Sequence, residues 1–143
     1  MRIRFRRQFL ELRQCPCIAG TPVREELREV FEATGTLSSP AVGTIIKYYS
    51  RTTSSFGYGS VERRNVTVLA DDRDNISGLT EVKVTSGSCE SGDSGGPFFQ
   101  DASSGAKYCG VLHGKRTDSS GNLYVFFTPY TYISSAGFSV RTN

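Results

Sequence analysis

Apolar residues recur at helical spacing in one place along this chain. Between Pro22 and Gly35, the positions Val23, Leu27, Val30 and Phe31 share one face of a 3.6-residue period. Thr21-Pro22 opens that stretch and Gly35 closes it, which predicts a short amphipathic helix near the N-terminus. Residues 37–42 turn to Ser and Pro, with Gly43 following, a composition that reads as a linker into a first strand. Beyond it the aromatic content of 11%, set among many Gly, Ser and Thr, suits short strands joined by tight turns rather than helical packing. Pro97 followed by Phe98-Phe99 reads as the entry to one such strand. The expected class is all-β. No apolar run approaches the ~18 residues of a membrane-spanning helix.

At 143 residues the chain is long enough for one core and short for two. Its net charge of +3 is concentrated in arginines 2, 4, 6, 7 and 13, and the remainder is near neutral. Residues 1–20 are therefore expected to form a basic, disordered arm, with residues 21–41 as helix and linker and residues 42–143 as the folded domain. Nucleic-acid binding wants a basic stripe interleaved with stacking aromatics on the domain itself, which this distribution does not offer. The arm lacks the uninterrupted apolar stretch of about 7–15 residues that a secretory signal needs. Cys15-Pro16-Cys17 supplies no zinc-ligand spacing, so neither a metal nor a cofactor is implied. Asn65-Val66-Thr67 and Asn75-Ile76-Ser77 fit the N-glycosylation pattern, and equally fit polar turns in a β-protein.

The run Gly92-Asp93-Ser94-Gly95-Gly96-Pro97 carries the candidate chemistry. Glycine reaches backbone angles closed to other residues, so the N–H groups of Gly92 and Ser94 can be directed at one point. Donors held in that way stabilise the charge developing on a carbonyl oxygen under attack. Ser94 is then a candidate acyl-transfer nucleophile. A hydroxyl needs a neighbouring base to take its proton, and His113 is the only histidine. A lone histidine on a strand serves more often as a structural or rim residue than as a base.

The stretch from Gly92 to Pro97 resembles the serine signature of chymotrypsin-fold serine peptidases, the S1 family, and its flanks resemble the streptogrisin and alpha-lytic type. Val42-Gly43, Lys47, Arg51-Thr52-Thr53, Gly59 and Asn65-Val66-Thr67 resemble that group's first strand pair. Gly78-Leu79-Thr80, Gly110-Val111-Leu112-His113-Gly114, Phe126-Phe127-Thr128-Pro129 and Gly137-Phe138-Ser139 resemble its later segments. The resemblance covers residues 42–143. It implies a Greek-key barrel of about six strands, the second of the two barrels such enzymes have. The first barrel, with the catalytic histidine and aspartate, is not in this chain.

The same resemblance implies site roles. Ser94 is the nucleophile, Gly92 and Ser94 the oxyanion donors, and Asp93 a buried structural carboxylate with a cationic partner. In the family an arginine serves there; the aligned position is Tyr48, which leaves Lys47 or Arg51. Cys89 and Cys109 are the implied disulfide, against the alternative of two buried thiols. The hairpin that carries another bridge in such enzymes has Lys47 and Tyr58 at those positions. An extended polypeptide substrate would lie along residues 112–115, with pocket walls from the residues before Ser94, from His113, Gly114 and Lys115, and from Tyr124 to Phe126. Glu90 would favour a basic side chain there, and Ser88 with the aromatic wall an apolar one. The expected function is a serine endopeptidase half that is inactive alone, needs the missing barrel in cis or in trans, and works extracellularly. The competing expectations are a non-enzymatic peptide-binding module and a gene-model fragment.

Overall fold

The computed structural model describes residues 33–69, 75–100 and 105–140. Seven strands are present among them: β1 (Ala33–Thr36), β2 (Ile45–Ser50), β3 (Ser55–Leu69), β4 (Asn75–Ser86), β5 (Pro97–Gln100), β6 (Ala106–Thr117) and β7 (Leu123–Pro129), followed by a short helix α1 (Tyr130–Ser135). Strands β2 to β7 close on themselves. Following the pairing around the ring, β2 meets β3, β3 meets β4, β4 meets β7, β7 meets β6, β6 meets β5, and β5 returns to β2, every contact antiparallel. The all-β expectation and the six-stranded barrel are both realised.

Strand alternation fills the interior. In β2, Ile46, Tyr48 and Ser50 point inward at successive alternate positions. Tyr48 stacks on Phe98 at 5.2 Å between ring centroids, and Phe98 stacks on Phe127 at 4.7 Å, an aromatic column across the barrel. Ile46, Val61, Val82, Leu112 and Val125 pack in the same core. The next residue along β5, Phe99, faces the other way and joins Ala33 and Tyr108 in a second cluster, against which Tyr130 and Ile133 of α1 pack. One dipeptide thus belongs to two cores.

That second cluster corrects the N-terminal expectation. Residues 33–35, the predicted helix end, lie in β1, which runs parallel to the start of β6 with Ala33 opposite Ala106 and Thr36 opposite Tyr108. Ala33 is fully buried there, so tertiary pairing overrides the helical period of the preceding sequence. The expected linker is also anchored, since Leu37 N–H donates to Tyr108 O at 2.8 Å and Pro40 is buried. The folded unit therefore reaches back past residue 42 to Ala33. The remainder of the predicted helix, the basic arm, Cys15 and Cys17 lie outside the described residues.

Candidate active site

Ser94 sits in the loop between β4 and β5, exposed to solvent. Gly92 holds φ = 103°, a left-handed conformation that costs a side-chain-bearing residue strain and glycine none. Asp93 N–H donates to Glu90 O at 3.1 Å and Gly96 N–H to Asp93 O at 3.0 Å, two consecutive tight turns. Gly95 N–H donates to Leu112 O at 2.9 Å, and Leu112 N–H to Gly96 O at 2.8 Å, which ties the loop to β6. Among the described residues, the N–H groups of Gly92 and Ser94 donate to no protein acceptor.

The loop is built on Asp93, which is 2% exposed. Its carboxylate accepts hydrogen bonds from Ser50 Oγ at 2.8 Å, Thr52 Oγ1 at 2.8 Å, Thr52 N at 2.9 Å and Glu90 N at 2.8 Å. Ser50 Oγ in turn accepts from Thr53 Oγ1 at 2.8 Å and from Thr53 N at 3.2 Å. Burial alone would raise the Asp93 pKa, but these donors outweigh it and hold the carboxyl below its ordinary value. Among the described residues the donors to this carboxylate are neutral, where the resemblance implied Lys47 or Arg51; Lys47 Nζ lies 4.2 Å from the Phe56 ring centroid. Four hydrogen bonds from neutral donors are enough to satisfy one buried carboxylate.

Tyr48, at the position the resemblance gives to an arginine, holds a different part of the loop. Its hydroxyl donates to Ser88 O at 3.2 Å, and burial pushes the phenol pKa upward. The ring is admitted by Gly57 on the paired strand: a Cβ there would lie 2.1 Å from Tyr48 Cζ. Sequence reasoning missed Ser50, Thr52 and Tyr48 as supports of the Ser94 loop. The Arg51-Thr52-Thr53 match was the available signal, read only as resemblance.

The expected Cys89–Cys109 bridge is not formed. Both residues are buried free thiols within the barrel core, and Cys109 Sγ donates to Lys107 O on its own strand at 3.3 Å. Burial raises both thiols, Cys89 to about 11 and Cys109 to about 12, so neither is a thiolate at neutral pH. Where the resembling hairpin carries another bridge, Lys47 stands opposite Tyr58 in the β2–β3 pairing, with its ammonium 5.7 Å from that ring. Asn65 and Asn75 are both exposed, and the hydroxyls of their sequons, Thr67 Oγ1 and Ser77 Oγ, lie 3.0 Å apart across the β3–β4 hairpin.

His113 contributes its backbone to the site. Ser94 Oγ donates to His113 O at 3.3 Å, whereas no hydrogen bond joins the imidazole to Ser94 among the described residues. A main-chain carbonyl orients a hydroxyl and accepts no proton from it at neutral pH. His113 lines a cavity of about 230 Å³ together with Gly114, Lys115, Val68, Leu69, Ile76 and Phe126. On one edge β6 pairs with β7 as far as Thr117; on the other, strand pairing with β5 ends at Val111 and the loop contacts end at Leu112. Beyond Leu112 that second edge, beside Ser94, carries no strand among the described residues. Tyr124, the expected far wall, lies under the guanidinium of Arg116, 4.1 Å from its ring centroid. Arg116 also binds Glu81, a carboxylate 1% exposed that Arg63 binds from the opposite strand.

Comparison with solved structures matches this fold to serine proteases. Thermobifida fusca Protease A superposes with a TM-score of 0.65 at 26% identity, covering 82% of this chain and 58% of that one. A glutamic-acid-specific serine protease described as using a histidine triad in substrate binding gives a TM-score of 0.62 at 27% identity, covering 80% of this chain and 57% of that one. Cellulomonas bogoriensis chymotrypsin, at 23% identity and a TM-score of 0.65, shares the fold over 82% of this chain and 59% of its own length. The chain thus spans less than two thirds of these structures. No protein-family model matches the sequence, and no curated protein does.

Proposed function

We propose that this chain, which has the chymotrypsin-like serine protease fold, is the nucleophile-bearing half of a serine endopeptidase. The observation that carries the reading is an exposed Ser94 beside the N–H groups of Gly92 and Ser94, which donate to no acceptor among the described residues, in a loop whose buried Asp93 carboxylate accepts from Ser50, Thr52 and Glu90. A polypeptide laid against β6 beyond Leu112 adds a strand there and passes its carbonyl by Ser94. Ser94 Oγ attacks that carbonyl carbon, and the oxygen, now negative, is received by the two amides. The hydroxyl proton goes to a base that passes it to the leaving amine, which gives an acyl-enzyme that water then cleaves. That base and its orienting carboxylate belong to a second barrel supplied in cis or in trans. His113 offers Ser94 only a carbonyl, so residues 1–143 alone turn over negligibly. An extracellular working place accompanies this reading.

Exogenous imidazole supplies the missing base and makes the proposal testable on the chain alone. With a fluorophosphonate and imidazole, intact mass should show one phosphonyl adduct whose rate rises with imidazole concentration and which Ser94→Ala removes. No Ser94-dependent adduct at any imidazole concentration contradicts the proposal. In that case peptide binding without chemistry, favoured by the resting hydrogen bond from Ser94 Oγ to His113 O, becomes the better account.

A further inference from the structure

Lys115 lies on β6 two residues beyond His113, on the strand whose open edge runs past Ser94. Its side chain reaches across to the segment just before the nucleophile, where the ammonium donates to Cys89 O and, at 3.0 Å, to Glu90 Oε2. One cation therefore spans two walls of the cleft in which the peptide is proposed to lie.

The two acceptors differ in how firmly they are held. Cys89 is 3% exposed and packed in the barrel core, and the Tyr48 hydroxyl fixes the preceding carbonyl, so the Cys89 acceptor does not move away. Glu90 is anchored by its backbone, whose N–H binds Asp93, while its side chain is 48% exposed and has Lys115 as its ion-pair partner. A rotation about its own side-chain bonds takes that carboxylate into solvent. The ammonium then remains on Cys89 O, which is neutral and leaves the positive charge uncompensated. Among the described residues, Arg63 and Arg116 bind the buried Glu81, and Asp93 accepts from its hydroxyl and amide donors.

We infer that Lys115 selects peptides with an acidic side chain at the residue lying beside it, and that Glu90 occupies the same ammonium as an internal stand-in for the substrate carboxylate. Glu90 is thus the group a substrate displaces rather than the recognition group for a basic side chain. This rests on the proposed seating of the peptide along β6. Because the pair is half-exposed, the selection is modest, about two- to fivefold in affinity at low salt.

The test uses the ¹⁵N-labelled chain and pentapeptides blocked at both ends, alanine apart from a central Glu, Gln or Lys. Titrations should move the amide resonances of Gly114 and Lys115, with the Glu peptide binding about two- to fivefold more tightly than the Gln peptide. The advantage should vanish in 0.5 M NaCl and in Lys115→Met, and should widen in Glu90→Gln, where the internal competitor is gone. Equal affinities for Glu and Gln peptides in the unaltered chain, a preference for the Lys peptide, or a Glu preference that survives Lys115→Met overturns the inference while leaving the seating intact. Peptides that move no β6 resonance overturn the seating and the inference with it, whereas the adduct at Ser94 tests the chemistry separately.

Discussion

Asp93 and Glu81 are both buried carboxylates, 2% and 1% exposed, and their partners have nothing in common. Asp93 receives two hydroxyls and two backbone amides, all neutral and all on short or main-chain groups. Glu81 is gripped by Arg63 and Arg116, long cations whose side chains are 62% and 40% exposed. Short donors from a folded backbone fix where a carboxylate sits. Exposed guanidinium groups satisfy its charge while leaving their own stems free to adjust. The rigid arrangement stands under the Ser94 loop, and the adjustable one straps β3, β4 and β6 together.

Asp93→Ala should break this comparison most severely. It leaves the donors on Ser50, Thr52 and Glu90 without their acceptor, and urea denaturation should show a loss of about 3–4 kcal/mol. Gly57→Ala should follow, since its Cβ meets the Tyr48 ring and that ring is pinned in the core; overpacking of this kind costs about 1–3 kcal/mol, read by thermal unfolding. Glu81→Gln should cost only about 1 kcal/mol at low salt, because the arginines it releases are already partly solvated. In 1 M NaCl that cost should shrink towards zero while the cost of Asp93→Ala persists. Equal salt sensitivity at the two sites would erase the distinction.

Acid should act on both. The carboxyls of Asp93 and Glu81 are opposed by burial and lowered overall by their hydrogen bonds, so each titrates below its unfolded value. Folding is then favoured by the ionised forms above the unfolded pKa of about 4, and that stability is lost as the pH falls through the lower native values. Ser50→Ala removes one donor to Asp93 and should move the acid-unfolding limb to higher pH, by a smaller margin than any of the changes above. Acid unfolding followed by tryptophan-free near-UV circular dichroism, on the tyrosine band, reads this directly.

The all-β class was legible in composition and the barrel in the resemblance over residues 42–143, and the turns of the Ser94 loop were legible because their determinants are local. Gly92 to Pro97 encodes its turns within six residues, and Phe98-Phe99 announces a strand with two apolar faces. What was missed depends on partners far apart in the chain. Ser50 and Asp93 are separated by 43 residues and Thr52 and Asp93 by 41, so no spacing rule links them, and the resemblance directed attention to a cation rather than to these hydroxyls. Ala33 to Thr36 continue a helical pattern yet pair with residues 106–108 of β6. The helix α1 has no side-chain cap and no charged residue suited to its dipole; packing of Tyr130 and Ile133 against the second cluster supports it instead. The cysteine pairing was carried by the resemblance alone, and the two thiols stay apart in one core.

The account turns on Asp93 and its neutral donors holding the amides of Gly92 and Ser94 in place. The most direct measurement is the ¹⁵N–¹H spectrum of the chain and of Ser50→Ala/Thr52→Val, each with and without 1 M NaCl. The account predicts that the Gly92 and Ser94 amides of the unaltered chain keep their positions in salt, and that the double substitution displaces or broadens them while resonances of β7 stay fixed. Gly92 and Ser94 resonances unchanged by removing those hydroxyls, or displaced by salt in the unaltered chain, would contradict it.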